Sequence, residues 1–384
     1  MKIIVVGAGI LGVSVTRSLA MAGAEVTVLD RWAPGGGTTA STFAWVNANR
    51  KPGAEYFRLN TEGMSEHSRL AGVLPGPQAF RRSGSLHLAD GLDEPDLTRN
   101  VERLRASGYP ARWVGRDEAR RLAGDVRIPA ATTAIAHFPS EGHVLPGVLL
   151  DNLVADARRH GATLGVGEVV GVEDVTGGAV VTLADGTRHR ADRVVLATGR
   201  WTRALAAGSG YDVPMTTEVR TGSPIVGLLG FVRSPAVDLR CVVHSRRLNL
   251  RPDGDGRSVV QALDLNRRVD PSAGASPDIA AEVGARFAEL VDVPGPAEID
   301  LRVSVRSMPA DGMTMAGPVS DGSNIHVLVT HSGITLGPLL GRLVATELVT
   351  GTPDGSLDTF RPTRFAGTRP PAGELRGPAR LGEQ

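Results

Sequence analysis

The first thirty residues constrain this chain more than any others. A short β-branched run, Lys2–Val6, meets Gly7-Ala8-Gly9-Ile10-Leu11-Gly12, and a helix-patterned segment follows from Ile10 to Ala22. Gly23 ends that helix, and a second strand, Glu25 to Leu29, closes on Asp30. This is a complete β-α-β unit. Gly7 permits the tight turn, Gly9 lets a pyrophosphate approach the backbone, and Gly12 lets helix and strand pack closely. The helix start offers free N–H groups and positive dipole charge to phosphates. Asp30 stands about twenty residues on, where a carboxylate can take hydrogen bonds from a ribose. The unit predicts dinucleotide binding. By itself it does not choose between nicotinamide and flavin dinucleotides, and Arg31 leaves room for a 2′-phosphate.

The totals exclude several other chemistries. Forty-two basic residues face 41 acidic ones in 384, for a net charge of +1, which gives no reason to expect nucleic acid or an anionic membrane as partner. Lys2 and Lys51 are the only lysines, so a Schiff-base mechanism is not expected. The one cysteine, Cys241, can form neither an internal disulfide nor a cysteine metal cluster and reads as a core thiol. A reducing cytoplasm fits that usage. No stretch is long and apolar enough to span a membrane. The apolar start, Ile3 to Val15, is broken by glycines and reads as fold, not as a leader. Homo-oligomerisation stays open.

Further along, Gly35 to Thr39 is a loop of small and hydroxyl residues. Helices are predicted at Ala54–Ala71, Asp96–Ser107, Asp117–Leu122, Pro146–His160, Pro277–Val291 and Ile334–Leu348, with Pro146 suited to a first helical turn. Strands are predicted at Arg81–Leu88, Gly161–Val172, Ala179–Leu183, Arg188–Ala197 and Asn324–Val329. Residues 201–305 are β-rich, with Asp253-Gly254 and Asp255-Gly256 as turns. After Phe365 the chain is rich in Gly, Pro and Arg, and 366–384 reads as a disordered tail.

The strand Arg193–Ala197 ends in Thr198-Gly199, bringing a chain without bulk back towards the nucleotide. In order along Met1 to about Phe365, these motifs resemble the D-amino-acid oxidase superfamily of FAD enzymes, in its glycine oxidase, sarcosine oxidase and DadA-like branch. The resemblance places Gly7, Gly9, Ile10, Leu11 and Gly12 at the pyrophosphate, and Asp30 with Arg31 at the ribose. It places Thr38 and Thr39 beside the pyrophosphate and ribityl chain, and Phe43-Ala44-Trp45 along the isoalloxazine. Val169 matches a backbone contact to adenine, and Thr198, Gly199 and Trp201 match the family's alanine-x-glycine-x-tryptophan segment. The run His331-Ser332-Gly333-Ile334-Thr335-Leu336-Gly337-Pro338 starts a helix that in the family sits under the pyrimidine end of the flavin. A helix N-terminus there suits the negative charge of reduced flavin.

On the substrate side the resemblance points to Arg306, just before Met308-Pro309-Ala310-Asp311-Gly312. In the family this arginine clamps a carboxylate, a task for which a planar guanidinium fork is suited and an ammonium is not. Ser307 replaces the family's usual proline. Asn249, on the face of an alternating strand with Arg247 and Arg251, matches a pocket position often held by tyrosine. His331 is a candidate for contact with flavin or substrate, and His244 and Gln261 are further candidates. Relatives that bind FAD covalently use a cysteine near Ser307 to Met308. None stands there, so FAD is expected to be non-covalent. Relatives also use a lysine to activate oxygen, and Lys2 and Lys51 are read as leaving that device missing.

The implied fold is α/β: a Rossmann-type FAD-binding domain from 1–75, 140–205 and 320–365, interleaved with an antiparallel-sheet substrate domain from 76–139 and 206–319. The implied reaction is hydride transfer to flavin N5 from the carbon beside the nitrogen of a small amine or amino acid, such as a D-amino acid, glycine or sarcosine. The imine then hydrolyses, and the electrons pass to oxygen or a carrier. The rival readings are an NAD(P)-dependent dehydrogenase, a tailoring enzyme acting on a larger amine, and a flavin-stabilised scaffold without activity.

Overall fold

A computed structural model describes residues 1–234, 237–293 and 297–366. Of the expected tail, everything after Ala366 lies outside the described residues.

Lys2–Val6 is buried along almost its whole length, as a strand covered on both faces must be. It lies inside a six-stranded sheet. The order is Met315–Pro318, Ile325–Val329, Arg193–Leu196, Lys2–Val6, Glu25–Asp30 and Thr163–Val166. All neighbours are parallel except the first pair. Met315–Pro318, expected with residues 206–319, thus pairs in the sheet of the dinucleotide unit.

Two helices on this sheet approach unusually closely. Ile10–Met21 crosses Gly333–Thr350 where a Cβ on Gly341 would stand 2.5 Å from the Ser14 carbonyl carbon. A side chain at position 341 would push the helices apart. The glycine-rich turn and the C-terminal helix, more than 300 residues apart in sequence, therefore start side by side.

The second large sheet has eight strands: Glu298–Val305, Val226–Arg233, Arg257–Gln261, Asn249–Pro252, Val242–Ser245, Ser85–Asp90, Thr132–Phe138 and Arg112–Trp113. It is antiparallel apart from the pairing of Val242–Ser245 with Ser85–Asp90. Its core includes Leu86, Val226, Leu228, Val243, Leu250 and Val260, packed under the helix Pro277–Leu290.

Three predicted strands are each two strands in different sheets. Arg81–Leu88 divides into Phe80–Arg81 and Ser85–Asp90. The break is Gly84, at φ 75°, whose Cβ would lie 2.7 Å from His137 Nε2. Gly161–Val172 divides into Thr163–Val166 and Val169–Val175, and Arg188–Ala197 into Arg188–Ala191 and Arg193–Leu196. At the last break Asp192 donates its N–H to the Lys2 carbonyl at 2.8 Å and accepts the Lys2 N–H at 2.7 Å. Alternation along a strand cannot register a change of sheet, because both halves keep a period of two.

Candidate active site

A cleft of about 520 Å³ runs between the two large sheets. One end is the glycine-rich turn. Gly7 adopts φ 102°, and a Cβ there would lie 2.6 Å from the Ala197 carbonyl oxygen. A Cβ on Gly12 would fall 1.8 Å from the Gly7 carbonyl oxygen. Gly7, Gly9, Ile10 and Leu11 line the cleft, while Gly12 stands behind them as the packing residue. The helix Ile10–Met21 takes no side-chain cap from its N-cap residue, Gly9, and has no acid in its first turn, so the positive end of its dipole faces the cleft.

Asp30 also lines the cleft. Its carboxylate accepts the N–H of Ala8 at 2.7 Å and of Trp32 at 2.9 Å, so it also holds the turn in shape. Thr39 Oγ1 accepts the Ile10 N–H at 3.1 Å, and Thr38 donates to the Val305 carbonyl at 2.9 Å, tying the cofactor loop to the eight-stranded sheet. Arg31, Trp32 and Trp201 form a stacked rim. The guanidinium lies 4.1 Å and 4.6 Å from the two indole centroids and pairs with Glu168 at 3.0 Å. Val169, Thr198 and Gly199 complete this end.

The other end is formed by Phe43, Gly227, Leu229, Gln261, Arg306 and His331, with Gly333 and Ile334 starting the C-terminal helix. That helix too lacks a side-chain cap and a first-turn acid. Ser332, Thr335 and Leu336 lie behind its first turn and off the cleft wall. Ala44 and Trp45 also stand back from the wall. Ala44 holds φ 54°, a costly conformation for a residue with a Cβ. It is fixed by its N–H on Thr42 Oγ1 at 3.1 Å and by the Val144 N–H on its carbonyl at 3.0 Å.

Arg306 is half-buried in the cleft wall. One guanidinium nitrogen donates to the carbonyls of Pro224 at 2.8 Å and Val226 at 3.2 Å, and no carboxylate among the described residues pairs with it. Burial pushes its pKa down to about 10, so it remains a cation at neutral pH. Burial, then the charges of Arg306 and Lys51, push His331 down to about 3, leaving a neutral imidazole. Asn249 does not reach the cleft wall. It is buried one strand behind, opposite Gln261 in register. His244, the other candidate on this sheet, is buried against the Trp45 ring at 4.1 Å between centroids.

The arrangement is a cradle for an elongated ligand. One helix N-terminus stands at one end, a second at the other, and Arg306 lines the wall beside the second. The model of the family described as FAD dependent oxidoreductase matches residues 2–347. The chain belongs to this FAD-dependent oxidoreductase family. The NAD(P) alternative falls with that match. The 4-methylaminobutanoate oxidase (formaldehyde-forming) of Paenarthrobacter nicotinovorans is 28% identical, over 95% of this chain and 46% of its own. A tRNA 5-methylaminomethyl-2-thiouridine biosynthesis bifunctional protein of Chromohalobacter salexigens is 28% identical, over 83% of this chain and 45% of its own. The chain thus spans about half the length of these curated relatives. The crystal structure of glycine oxidase from Geobacillus kaustophilus superposes with a TM-score of 0.81 at 22% identity, covering 94% of this chain and 99% of that one. At that identity the likeness speaks for the fold.

FAD fits the residues present in this oxidoreductase. The turn has no Cβ where a pyrophosphate must approach, and two helix starts without first-turn acids face the cleft. Cys241 is buried and off the cleft wall, and burial pushes its thiol up to about 12. It offers no bond to a flavin.

Residues that sequence reasoning passed over complete the site. Glu141 is wholly buried and accepts hydrogen bonds from Trp45 Nε1 at 2.9 Å, Tyr109 at 2.8 Å, Ser85 at 2.5 Å and Asn49 at 3.3 Å. Burial pushes its carboxyl up to about 7 against those four donors. Arg251, also buried, donates to the Phe43 carbonyl and to Asp253 Oδ1 at 2.7 Å. Together these two residues clamp the stretch Phe43–Trp45 from both ends. Lys51 stands behind the start of the C-terminal helix. Its amine, lowered to about 8 by burial, donates to Ser332 Oγ at 3.2 Å, and Tyr56 donates to the same hydroxyl at 3.1 Å. A lysine therefore backs the C-terminal turn. Only the fold brings position 51 to position 332, so spacing along the chain carried no signal for it.

Proposed function

We propose that this oxidoreductase oxidises the C–N bond of a small amine that carries a carboxylate: an amino acid or an N-alkyl amino acid. The observation that carries this reading is Arg306, a half-buried guanidinium on the cleft wall with no acidic partner among the described residues. Burying a cation unpaired is expensive, and a site that keeps one is built to receive an anion. A carboxylate matches the planar fork. The names of the relatives agree in kind, since methylaminobutanoate, a methylaminomethyl group and glycine are all amine carbons.

FAD, when bound, would supply the acceptor for the hydride that leaves the carbon beside nitrogen, with oxygen or a carrier as the final acceptor of the electron pair. The protein does the positioning. Arg306 holds the carboxylate with the guanidinium edge not spent on Pro224 and Val226, which fixes the α-carbon relative to the cleft. The cationic Arg306 also disfavours an ammonium nearby, so the amine binds neutral with its lone pair free to form the C=N bond. Neutral His331 adds no competing charge. Water adding to the imine carbon then releases a carbonyl compound and ammonia or a shorter amine. FAD is held without a covalent bond in this reading.

Anaerobic mixing of the yellow holoprotein with glycine, sarcosine, 4-methylaminobutanoate and a panel of D-amino acids tests it. At least one of them bleaches the flavin within seconds. A flavin that dithionite reduces but no member of the panel touches contradicts the reading.

A further inference from the structure

We propose that Gly227 seats the carboxylate-binding arginine: the side chain it lacks is the socket in which the Arg306 guanidinium lies, and any other residue there tilts the edge offered to substrate. This rests on the functional reading above and deepens it, by naming a positioning residue for the contact assigned to Arg306.

Gly227 stands near the start of the strand Val226–Arg233 and is buried on the wall of the same cleft end as Arg306. Glycine inside a strand forgoes packing and marks a place where something approaches the backbone closely. The conformation here needs no glycine, since φ at 227 lies outside the left-handed range. Space is the remaining reason. A Cβ at 227 would stand 2.8 Å from Arg306 Nη2, 3.1 Å from Cζ and 3.4 Å from Nη1. The nearest atoms thus all belong to the guanidinium, and none to backbone.

Other contacts hold the arginine against that socket. The Arg306 backbone N–H donates to the Ile225 carbonyl at 2.8 Å, and Nη1 donates to the carbonyls of Pro224 and Val226. The side chain therefore folds back over the start of the strand that carries Gly227. Nη2 and Nε make no hydrogen bond among the described residues and are not closed off from water. They form the edge left for a carboxylate. Nη2 is also the atom closest to the missing Cβ. A methyl group at 227 pushes that nitrogen away, and the planar fork tilts with it. Two parallel N–H bonds to a carboxylate depend on that plane.

The test follows the flavin absorbance of the holoenzyme as 2-furoate, a flat carboxylate that cannot give up a hydride, is added. Gly227→Ala binds it about 10-fold more weakly than the wild type does, as a misplaced clamp should. The melting point of this variant stays at the wild-type value, because the flexible end of a side chain gives way and the strand does not. In the Arg306→Met background the same substitution weakens binding no further, since the group it displaces is gone. Gly230→Ala, in the same strand, does the reverse. A Cβ there would press on Val260 at 2.7 Å, so that variant melts lower and keeps its affinity for 2-furoate. Unchanged binding by Gly227→Ala, or a further loss on top of Arg306→Met, overturns the assignment of Gly227. So does a Gly227→Ala protein that fails to fold. A wild type that ignores 2-furoate, or an Arg306→Met variant that binds it as the wild type does, overturns the carboxylate reading itself, and this inference with it.

Discussion

Arg306→Met lowers kcat/KM for the best carboxylate-bearing amine by about 1,000-fold, a loss on the order of 4 kcal/mol of transition-state stabilisation. The size follows from where the charge sits. A half-buried guanidinium, with one nitrogen on two backbone carbonyls, meets a carboxylate in a setting screened less than open water. Removing it leaves the substrate carboxylate desolvated and unpaired. Protein stability moves differently. The wild type half-buries a cation that no carboxylate among the described residues pairs with, so the methionine variant unfolds at an equal or higher denaturant concentration when substrate is absent. Steady-state kinetics with urea unfolding on the same preparation checks both. Activity lost together with stability would mean that Arg306 only holds the strand ends together. An unchanged kcat/KM would remove it from the substrate site.

Gly12→Val yields a protein that no longer retains FAD. The Cβ at this position would lie 1.8 Å from the Gly7 carbonyl oxygen, a backbone atom that no side-chain rotation can clear. Either the helix Ile10–Met21 lifts from its strand or the turn opens. Both movements displace the N–H groups that face the pyrophosphate. The helix also crosses Gly333–Thr350 at close range, so the strain spreads to the C-terminal turn. Destabilisation of about 3 kcal/mol or more follows from overpacking a site that cannot relax. The measurements are the ratio of flavin to protein absorbance after purification and a thermal unfolding curve. A variant that stays fully yellow with an unchanged melting point would show that the turn is looser than described.

What the chain's order revealed, and what it hid, divides along a physical line. Gly7, Gly9, Gly12 and Asp30 were legible because the β-α-β unit is built within thirty residues, and its requirements for small side chains and a terminal acid fall at fixed spacings. Arg306 was legible through a local segment that resembles a known family. The clamps on Phe43–Trp45 were not, because Glu141 and Arg251 reach that stretch from positions roughly one hundred and two hundred residues away. The contact of Lys51 was hidden for the same reason. Its meeting with Ser332 is a product of the contact between the helix Ala54–Ala71 and the C-terminal helix, which no periodicity in either segment announces. Asn249 failed differently. Alternation gave its face of the strand correctly as a polar row with Arg251, but a row on a sheet extends beyond the ligand. The wall of the cleft reaches Gln261 and stops one strand short of Asn249.

The account as a whole requires one flavin to be gripped by two segments more than 300 residues apart in the chain. Backbone hydrogen exchange of the apoprotein, repeated after adding FAD, measures this directly. The prediction is a joint slowing at Gly7–Leu11 and at His331–Ile334, with the same dependence on FAD concentration. Slowing confined to the first segment, with the second exchanging as before, would contradict it.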